Sequence, residues 1–273
     1  MKTWLITGAS SGLGRLMSER LLARGDRVVA TVRREQAMAD LQRTYGERLQ
    51  VITLDLAHTA SIAPTIKRAF AAIDRIDVVV SNAAYGLFGA AEELSDAQID
   101  RQIATNLTGS IQLIRAVIPF LRQQGGGCIA QVSSEGGQVA YPNFSLYHAT
   151  KWGIEGFVEA VRQEVASFGI DFLLVEPGPT ATHFGAGLDV ADALEVYREN
   201  AAGQLRQAIL SGDFTIAGDA GKCVTAMIAT LDQASMPLRL ALGSTAYQNI
   251  EAALEGRLAE LRGQRDVAFG ADV

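Results

Sequence analysis

The 273-residue sequence has few cysteines and no long apolar run. Cys128 and Cys223 are too few for a disulfide framework, and their spacing does not suggest a metal site, so we expect buried thiols and no metal. No stretch reaches the roughly 18 apolar residues that a membrane helix needs, and the first residues lack a signal-peptide pattern. These absences predict a cytoplasmic protein with no membrane partner.

Basic charge is also scarce. The 24 Lys and Arg residues are outnumbered by 30 Asp and Glu residues, and no basic run exceeds the pair Arg33-Arg34. Proteins that bind nucleic acid concentrate cationic side chains on one surface, so we expect no nucleic-acid partner. The 48% of apolar residues is typical of a globular enzyme with a sizeable core.

Short apolar runs alternate with helical periods over the first 180 residues. The strand-like runs include TWLITG, RVVATV, LQVITLDL, IDVVVSNAA, GCIAQVSS and IDFLLVEPG, and Ser95 with Gln98 forms a capping box before a long helix. Strands that are apolar throughout and separated by helices indicate a parallel sheet covered on both faces. We therefore predict an α/β fold, a doubly wound Rossmann-like sheet of about seven strands, with its site at the strands' carboxyl ends.

The pattern weakens in the last third of the chain. Residues 183–216 contain several glycines and mixed polarity, which predicts a substrate-covering segment with helical pieces. Helices over 219–232 and 245–262 follow, and residues 265–273 read as a weakly ordered tail. Since no linker divides the chain, we expect a single domain over 1–273.

A glycine-rich segment, TGASSGLG, joins the first strand to the first helix. Backbone amides at a helix N-terminus attract anions, and glycine lets a pyrophosphate approach without a Cβ clash. The glycine spacing differs from G-x-G-x-x-G, and a plain tight turn is the alternative. Its position in a βαβ unit favours a dinucleotide phosphate site, built from Gly8, Ser10, Ser11, Gly12, Leu13 and Gly14.

The end of the second strand indicates which dinucleotide binds. An acidic residue there would hold the ribose 2′-hydroxyl of NAD, but this sequence has Arg33 and Arg34. The guanidinium fork suits a phosphate, so we predict NADP(H) over NAD(H), with Arg33 as the main contact. A solvated basic pair is the alternative. Asp55 and Leu56 follow the third strand, where they could contact adenine, although Asp55 could instead cap a helix.

Tyr147 and Lys151 are four residues apart, so they share one face of a predicted helix. A nearby ammonium stabilises a phenolate and lowers the tyrosine pKa, which would suit the phenol to general acid–base chemistry. Ser134 lies at the end of the fifth strand, where side chains reach a cleft. Asn106 lies inside the long helix, where asparagine is disfavoured. Tyrosine and lysine at this spacing occur by chance in many helices, and Asn106 could be a surface polar residue, but their context beside Ser134 favours a functional site.

At this point the sequence resembles the short-chain dehydrogenase/reductase family. TGASSGLG is similar to its cofactor loop, SNAA (81–84) to its N-N-A-G element, YHATK (147–151) to its active-site motif and PGPTAT (177–182) to its segment after the sixth strand. The resemblance covers about 1–182. It points to the NADP-preferring type with a C-terminal extension, similar to bacterial hydroxysteroid and retinol dehydrogenase-like members.

The resemblance implies a role for each matching residue. Tyr147 would be the general acid in reduction, Lys151 would hold the nicotinamide ribose and lower the tyrosine pKa, and Ser134 would hydrogen-bond the substrate oxygen. Asn106 would hold a water in a proton relay. Further cofactor contacts would come from Asn82, Ala83, Pro177, Gly178, Thr180 and Thr182.

Three positions depart from the family pattern. Ser81 and Ala84 replace the first Asn and the Gly of N-N-A-G, which affects the local turn more than the chemistry. His148 follows the tyrosine where a small residue is usual, and we expect it to be exposed or to pack.

These observations predict hydride transfer between NADP and a carbonyl or secondary alcohol of a hydrophobic small molecule. The alternatives are an acyl-carrier-protein ketoreductase and a non-catalytic NADP-sensing regulator. By family analogy, helices 95–121 and 147–168 would pair into a homodimer or homotetramer. The expected apolar wall of the substrate site comprises Tyr85, Leu87, Phe88, Val139, Tyr141, Phe144 and Phe184.

Overall fold

The structure is a computed structural model, and it describes residues 1–212 and 216–272. The strands in these ranges are β1 (Thr3–Thr7), β2 (Arg27–Val32), β3 (Leu49–Thr53), β4 (Val78–Ser81), β5 (Leu87–Phe88), β6 (Gly127–Val132), β7 (Ile170–Pro177), β8 (Asp189–Val190) and β9 (Arg239–Leu242).

The α-helices alternate with these strands. They are α1 (Gly12–Arg24), α2 (Ala39–Tyr45), α3 (Ile62–Ala71), α4 (Asp96–Ile103), α5 (Gly109–Gln123), α6 (Ser145–Val165), α7 (Ala201–Leu210), α8 (Ala220–Leu231), α9 (Ser244–Gly263) and α10 (Arg265–Phe269). Within the described ranges, none of these helices is both long and apolar enough to cross a bilayer.

Seven strands form one parallel sheet in the order β3-β2-β1-β4-β6-β7-β9. The run LRLALG supplies β9, the seventh strand, at one edge. Strand order reverses beside β1, because β2 and β3 extend to one side and β4 to the other. A crevice opens at such a switch point, at the carboxyl ends of the strands. The predicted fold class is confirmed.

Each face of the sheet carries its own core. Trp4 and Ile6 of β1 point into the cluster shared with α1 and α8, whereas Leu5 points into the cluster shared with α3, α5 and α6. Side chains alternate along a strand, so a strand covered on both faces must be apolar throughout. Full burial of each large aliphatic side chain contributes about 1.5–3 kcal/mol, which fixes the strands that carry the site.

The predicted long helix is interrupted. The capping box of Ser95 and Gln98 starts α4 as expected. A π-helical segment, Ala104–Thr108, then separates α4 from α5 and contains Asn106. Such segments insert one residue into the helical repeat and re-aim the side chains around it.

The C-terminal elements differ in part from expectation. The predicted cover folds into β8 and α7 with short 3₁₀ turns, and its residues 213–215 lie outside the described residues. The tail expected to be weakly ordered forms α10, in which the Arg265 guanidinium lies 4.4 Å from the Phe269 ring centroid. A contact four residues apart in sequence supports one helical turn.

Candidate active site

The glycine loop between β1 and α1 is held tightly against the end of β4. Gly8 and Gly12 have φ angles of 66° and 55°, a region that favours glycine. A Cβ on Gly14 would lie 2.6 Å from Asn82 Nδ2 and equally close to the Gly8 carbonyl oxygen. Asn82 Nδ2 donates to the Thr7 carbonyl oxygen over 2.8 Å, which joins β4 to the loop. The sequence therefore needs glycine here for close packing.

The loop presents backbone amides at the start of α1. Ser11 is the N-cap residue, and its side chain makes no capping bond. The positive end of the helix dipole favours an anion there. Thr182, in the segment after β7, lies 3.8 Å from where a Cβ on Gly12 would sit, so this segment reaches the loop. This cradle fits the pyrophosphate of a dinucleotide.

Several predicted cofactor residues surround this cradle. Ala83 donates its backbone N–H to Thr7 Oγ1 over 3.0 Å, directly after Asn82. On the other side, Pro177 ends β7 and Gly178 donates its N–H to the Leu242 carbonyl oxygen. Thr180 Oγ1 donates to the Gly178 carbonyl oxygen over 2.8 Å. The structure thus brings both motifs to the same edge of the sheet.

The remaining predicted cofactor residues follow the two strands beside β1. Arg33 and Arg34 come directly after β2 and are exposed, and within the described part of the chain neither guanidinium has a protein partner. Asp55 Oδ1 accepts the Ala57 N–H over 3.0 Å, a local turn contact. The Leu56 side chain is buried in the core, which leaves only its backbone for a ligand.

Ser134, Tyr147 and Lys151 meet beside this crevice. Tyr147 and Lys151 lie one turn apart on α6, and Lys151 Nζ is 5.5 Å from the phenol ring centroid. Lys151 Nζ also donates to the Val132 carbonyl oxygen over 3.0 Å, at the end of β6. The Ser134 side chain, two residues beyond, lies close enough to the Tyr147 hydroxyl to lower the pKa of the phenol. The strand end and the helix start together fix the predicted triad.

Burial controls the protonation of this group. It raises the pKa of Tyr147 to about 12; the neighbouring Ser134 side chain lowers the pKa and the Glu135 charge raises it. Burial also lowers the pKa of Lys151 to about 8, against the opposing charge of Glu155. The expected fall in the phenol pKa is therefore not seen in the protein alone. At neutral pH the phenol carries its proton and can act as an acid.

Both polar atoms of the Asn106 side-chain amide form hydrogen bonds with the backbone of Tyr85. Its Oδ1 accepts the Tyr85 N–H over 3.1 Å, and its Nδ2 donates to the Tyr85 carbonyl oxygen over 2.8 Å. The π-helical segment turns this buried side chain toward the loop after β4. The side chain thus anchors that loop, while the water relay implied by the resemblance stays a prediction.

His148 is buried, so of the two expectations for this residue the packing role applies and exposure does not. Its Nε2 accepts the Tyr141 N–H over 2.9 Å, and its Nδ1 donates to the Gly136 carbonyl oxygen over the same distance. These two bonds close the loop between Ser134 and α6. Burial lowers the pKa of His148, which keeps the ring neutral in this role.

Metal ions in proteins are bound by clusters of side chains. Within residues 1–212 and 216–272, no group of three or more His, Cys, Asp or Glu side chains is arranged for a metal ion. The site consists of hydroxyl, phenol and ammonium groups beside a phosphate cradle, a set that suits proton transfer next to a nicotinamide cofactor.

Comparison with known proteins agrees with this geometry. Residues 2–192 match the family model described as short chain dehydrogenase. The chain belongs to the short-chain dehydrogenase family. It is thus an NAD(P)-dependent oxidoreductase, and the family expected from the motifs is confirmed.

Curated relatives of this dehydrogenase include two oxidoreductases. Oxidoreductase BOA17 of Botryotinia fuckeliana is 34% identical over 93% of both chains. Human retinol dehydrogenase 8 is 34% identical over 67% of this chain and 60% of its own length.

Solved structures share the fold. A short-chain dehydrogenase from Streptomyces avermitilis is 37% identical and superimposes with a TM-score of 0.91, covering 99% of this chain and 98% of that one. A Burkholderia cenocepacia short chain dehydrogenase, solved in complex with NADP, has a TM-score of 0.74 at 24% identity, covering 97% of this chain and 98% of that one.

Residue Phe184 of the segment 183–216 lies against the Tyr147 ring. The Phe184 ring is 5.6 Å from the Tyr147 ring, and β8 pairs with β5. Leu87 and Phe88 of β5, expected in the substrate wall, are fully buried and serve the core instead. Phe184 and the half-buried Phe144 remain available to a substrate.

Sequence reasoning missed two residues beside Ser134. Glu135 is buried, and its Oε2 accepts a hydrogen bond from Asn249 Nδ2 over 3.3 Å. Asn249, on α9, also donates to the Tyr141 hydroxyl over 2.9 Å. A charged residue between a strand end and the pair Gly136-Gly137 was a usable signal for Glu135. Asn249 gave none, because it lies more than a hundred residues away.

We expect Glu135→Gln to shift the pH dependence of alcohol oxidation toward acid. The Glu135 charge raises the pKa of Tyr147, so its removal lowers that pKa and lets the phenolate form at lower pH. The pH profile of kcat/KM, which reports the free enzyme, measures the shift. Glu47→Gln, at an exposed site, is the control and should leave the profile unchanged. An identical profile for Glu135→Gln would contradict the coupling.

Proposed function

We propose that the protein is an NADP-dependent reductase of apolar ketones and aldehydes that also oxidises the matching secondary and primary alcohols. The observation that carries the proposal is the meeting of Tyr147 with Lys151, whose Nζ lies 5.5 Å from the phenol ring centroid, beside Ser134 and the glycine cradle. These are the parts that carbonyl reduction needs: a proton donor, a group that holds the oxygen, and a cofactor site.

The mechanism assigns one task to each side chain. A nicotinamide cofactor held by the glycine cradle would supply or accept the hydride at the substrate carbon. Ser134 donates its O–H to the substrate oxygen and stabilises the negative charge that develops there. Tyr147 transfers its proton to the same oxygen, which completes the alcohol. Lys151 is positioned to bind the nicotinamide ribose and to stabilise the phenolate that remains.

The exposed arginines after β2 support the choice of NADP. Arg33 and Arg34 follow the strand beside β1, and no acidic residue occupies that position. An arginine fork pairs with a phosphate through two parallel N–H···O bonds, whereas a ribose hydroxyl gains much less from it. We therefore assign the 2′-phosphate to Arg33, with Arg34 beside it.

Replacing Arg33 by Ala should weaken NADPH binding by roughly 10- to 100-fold, the usual worth of a charge-assisted hydrogen-bond pair. NADH affinity should change less than threefold, so the ratio of the two dissociation constants measures the effect. The matched control is Arg43→Ala, because Arg43 is another exposed arginine but lies on α2. An unchanged NADPH constant with equally tight NADH binding would contradict the assignment.

Aromatic side chains at the site support an apolar substrate. Phe184 covers the Tyr147 ring, and Phe144 lies edge-on to the same ring at 6.1 Å. Among the relatives, one is named for retinol, a largely apolar alcohol. Ligand sites of this kind combine an apolar wall with a few polar groups that orient the reacting atom.

A panel of carbonyl compounds tests the function. We expect NADPH consumption with apolar ketones and aldehydes, and little with charged keto acids, followed at the nicotinamide absorbance. Turnover confined to acyl-carrier-protein thioesters would favour a ketoreductase. Tight NADPH binding without any turnover would favour a regulator.

Self-association completes the proposal. We expect a homodimer or homotetramer formed through α5 and α6, where Ile111, Ile118 and Phe157 remain only partly buried. Light scattering that gives only a monomer would contradict it.

A further inference from the structure

The C-terminal helix α9 is docked on the body along one face. Ala246 and Ile250 are buried, and Asn249 bonds to Glu135 on the same side. Further along the helix, Arg257 donates to the Gln138 carbonyl oxygen over 2.6 Å and lies 4.9 Å from the Trp152 ring centroid. The loop that follows Ser134 is therefore bonded to this face at Asn249 and Arg257.

A neighbouring face of α9 is apolar and uncovered. Its residues, the α9 stripe, are Tyr247, Leu254, Leu258 and Leu261, exposed to 59%, 47%, 45% and 64%. Their spacings of seven, four and three residues place them within about 60° of arc on a helix. An aligned set of large exposed apolar side chains marks an interaction surface, unlike apolar residues scattered singly.

Acidic and basic side chains beside the α9 stripe are distributed unevenly along the helix. Glu251, Glu255 and Arg262 are exposed on one flank of it, by the helical repeat. Both acids precede the arginine along the chain, and Arg262 lies in the last turn of α9. Two such helices side by side in parallel would place the acids together. In an antiparallel pair, each Arg262 faces the acids of the other copy.

The same flank argues against a lipid surface as the occupant. Helices that lie in a membrane interface are rich in Lys and Arg on their polar face. Beside the α9 stripe, two acids accompany a single arginine, and the other arginine of the helix middle, Arg257, is bonded inward. This charge pattern matches a second copy of α9 better than it matches a membrane.

We propose that two copies of this chain associate through their α9 stripes as an antiparallel pair about a two-fold axis. In the register that pairs Arg262 with Glu251 and Glu255, Leu254 lies opposite Leu261 of the second copy. Leu258 then lies next to the axis, facing its own equivalent. Such a contact is self-complementary, as a two-fold interface must be. It lies apart from α5 and α6 and does not depend on the proposed function.

A cysteine placed beside the axis tests the pairing directly. Leu258→Cys should form a disulfide-linked dimer under mild oxidation, because its equivalent lies opposite. Ala252→Cys, exposed on the far side of the same helix, is the control and should stay monomeric on a non-reducing gel. The native Cys128 and Cys223 are buried and do not compete. Equal cross-linking at both positions, or none at 258, would overturn the proposal.

The molar mass of the protein in solution measures how much the α9 stripe contributes to assembly. Leu258→Asp should halve the molar mass measured by light scattering, with an unchanged circular dichroism spectrum as the check on folding. Reversing Glu251 and Glu255 to Arg should have the same effect, and adding Arg262→Glu should restore the mass. An unchanged mass for Leu258→Asp would overturn the proposal. Loss of binding to phospholipid vesicles with unchanged mass would assign the stripe to lipid instead.

Discussion

Replacing Tyr147 by phenylalanine should lower kcat by about 10²- to 10⁴-fold, the usual contribution of a positioned general acid. The substitution removes one hydroxyl and keeps the ring, which packs against Phe144 and Phe184. The fold and the affinity for NADPH should therefore be preserved. Steady-state kinetics, combined with a fluorescence titration of NADPH, separate the two effects.

Tyr85→Phe is the matched control for this variant. Tyr85 is a half-buried tyrosine whose hydroxyl accepts a bond from Arg101, and its backbone is anchored by Asn106. Its variant should keep kcat within a few-fold of the natural protein. If Tyr147→Phe also retained kcat within a few-fold, the proton would have another donor and the mechanism would be wrong.

Replacing Ser134 by alanine should lower kcat by about 10²- to 10³-fold, as the loss of one oxyanion donor does in other enzymes. The Ser134 hydroxyl stands beside the Tyr147 hydroxyl, where the substrate oxygen must bind to receive the proton. Because the charge on that oxygen grows in the transition state, the loss should appear in kcat more than in KM.

The adjacent Ser133→Ala is the control for this variant. Ser133 points away from the cleft, and its Oγ donates to Glu155 inside the protein. Its variant should lower the thermal stability and affect kcat far less than Ser134→Ala. Comparable losses of kcat in both variants would mean that the serine loop is merely structural.

The C-terminal part of the chain completes this site. Arg239 of β9 bonds to two buried carboxylates, Glu155 on α6 and Glu176 on β7, and to the exposed Glu159 on α6. A buried charge without a partner is strongly destabilising. Arg239 therefore offsets the free-energy cost of burying these carboxylates. The motifs of the first 182 residues thus rely on the edge strand that follows them.

Local patterns carried most of the prediction. The apolar runs gave the sheet, Ser95 and Gln98 gave the start of α4, and the spacing of Tyr147 and Lys151 gave a shared helix face. Each of these signals is contained within a few residues, since strand alternation, helix capping and helical repeat are local properties.

Features that depend on distant contacts were not predictable. The π-helical segment at Asn106 forms where that side chain meets the backbone of Tyr85, 21 residues away. The bond between Glu135 and Asn249 spans 114 residues. The rise in the Tyr147 pKa results from burial in the folded protein, which a sequence pattern of tyrosine and lysine does not contain.

The central claim is that hydride passes between a nicotinamide and a carbonyl carbon while Tyr147 supplies the proton. The most direct test uses NADPH deuterated at C4 with an apolar ketone that is turned over. We predict one deuterium at the carbinol carbon of the product when the protein is present, and essentially none with Tyr147→Phe over the same time. The ring is labelled at C4 on one face and, in a second experiment, on the other. Product alcohol that carries no deuterium in either experiment, or equal amounts of product from Tyr147→Phe, would contradict the account.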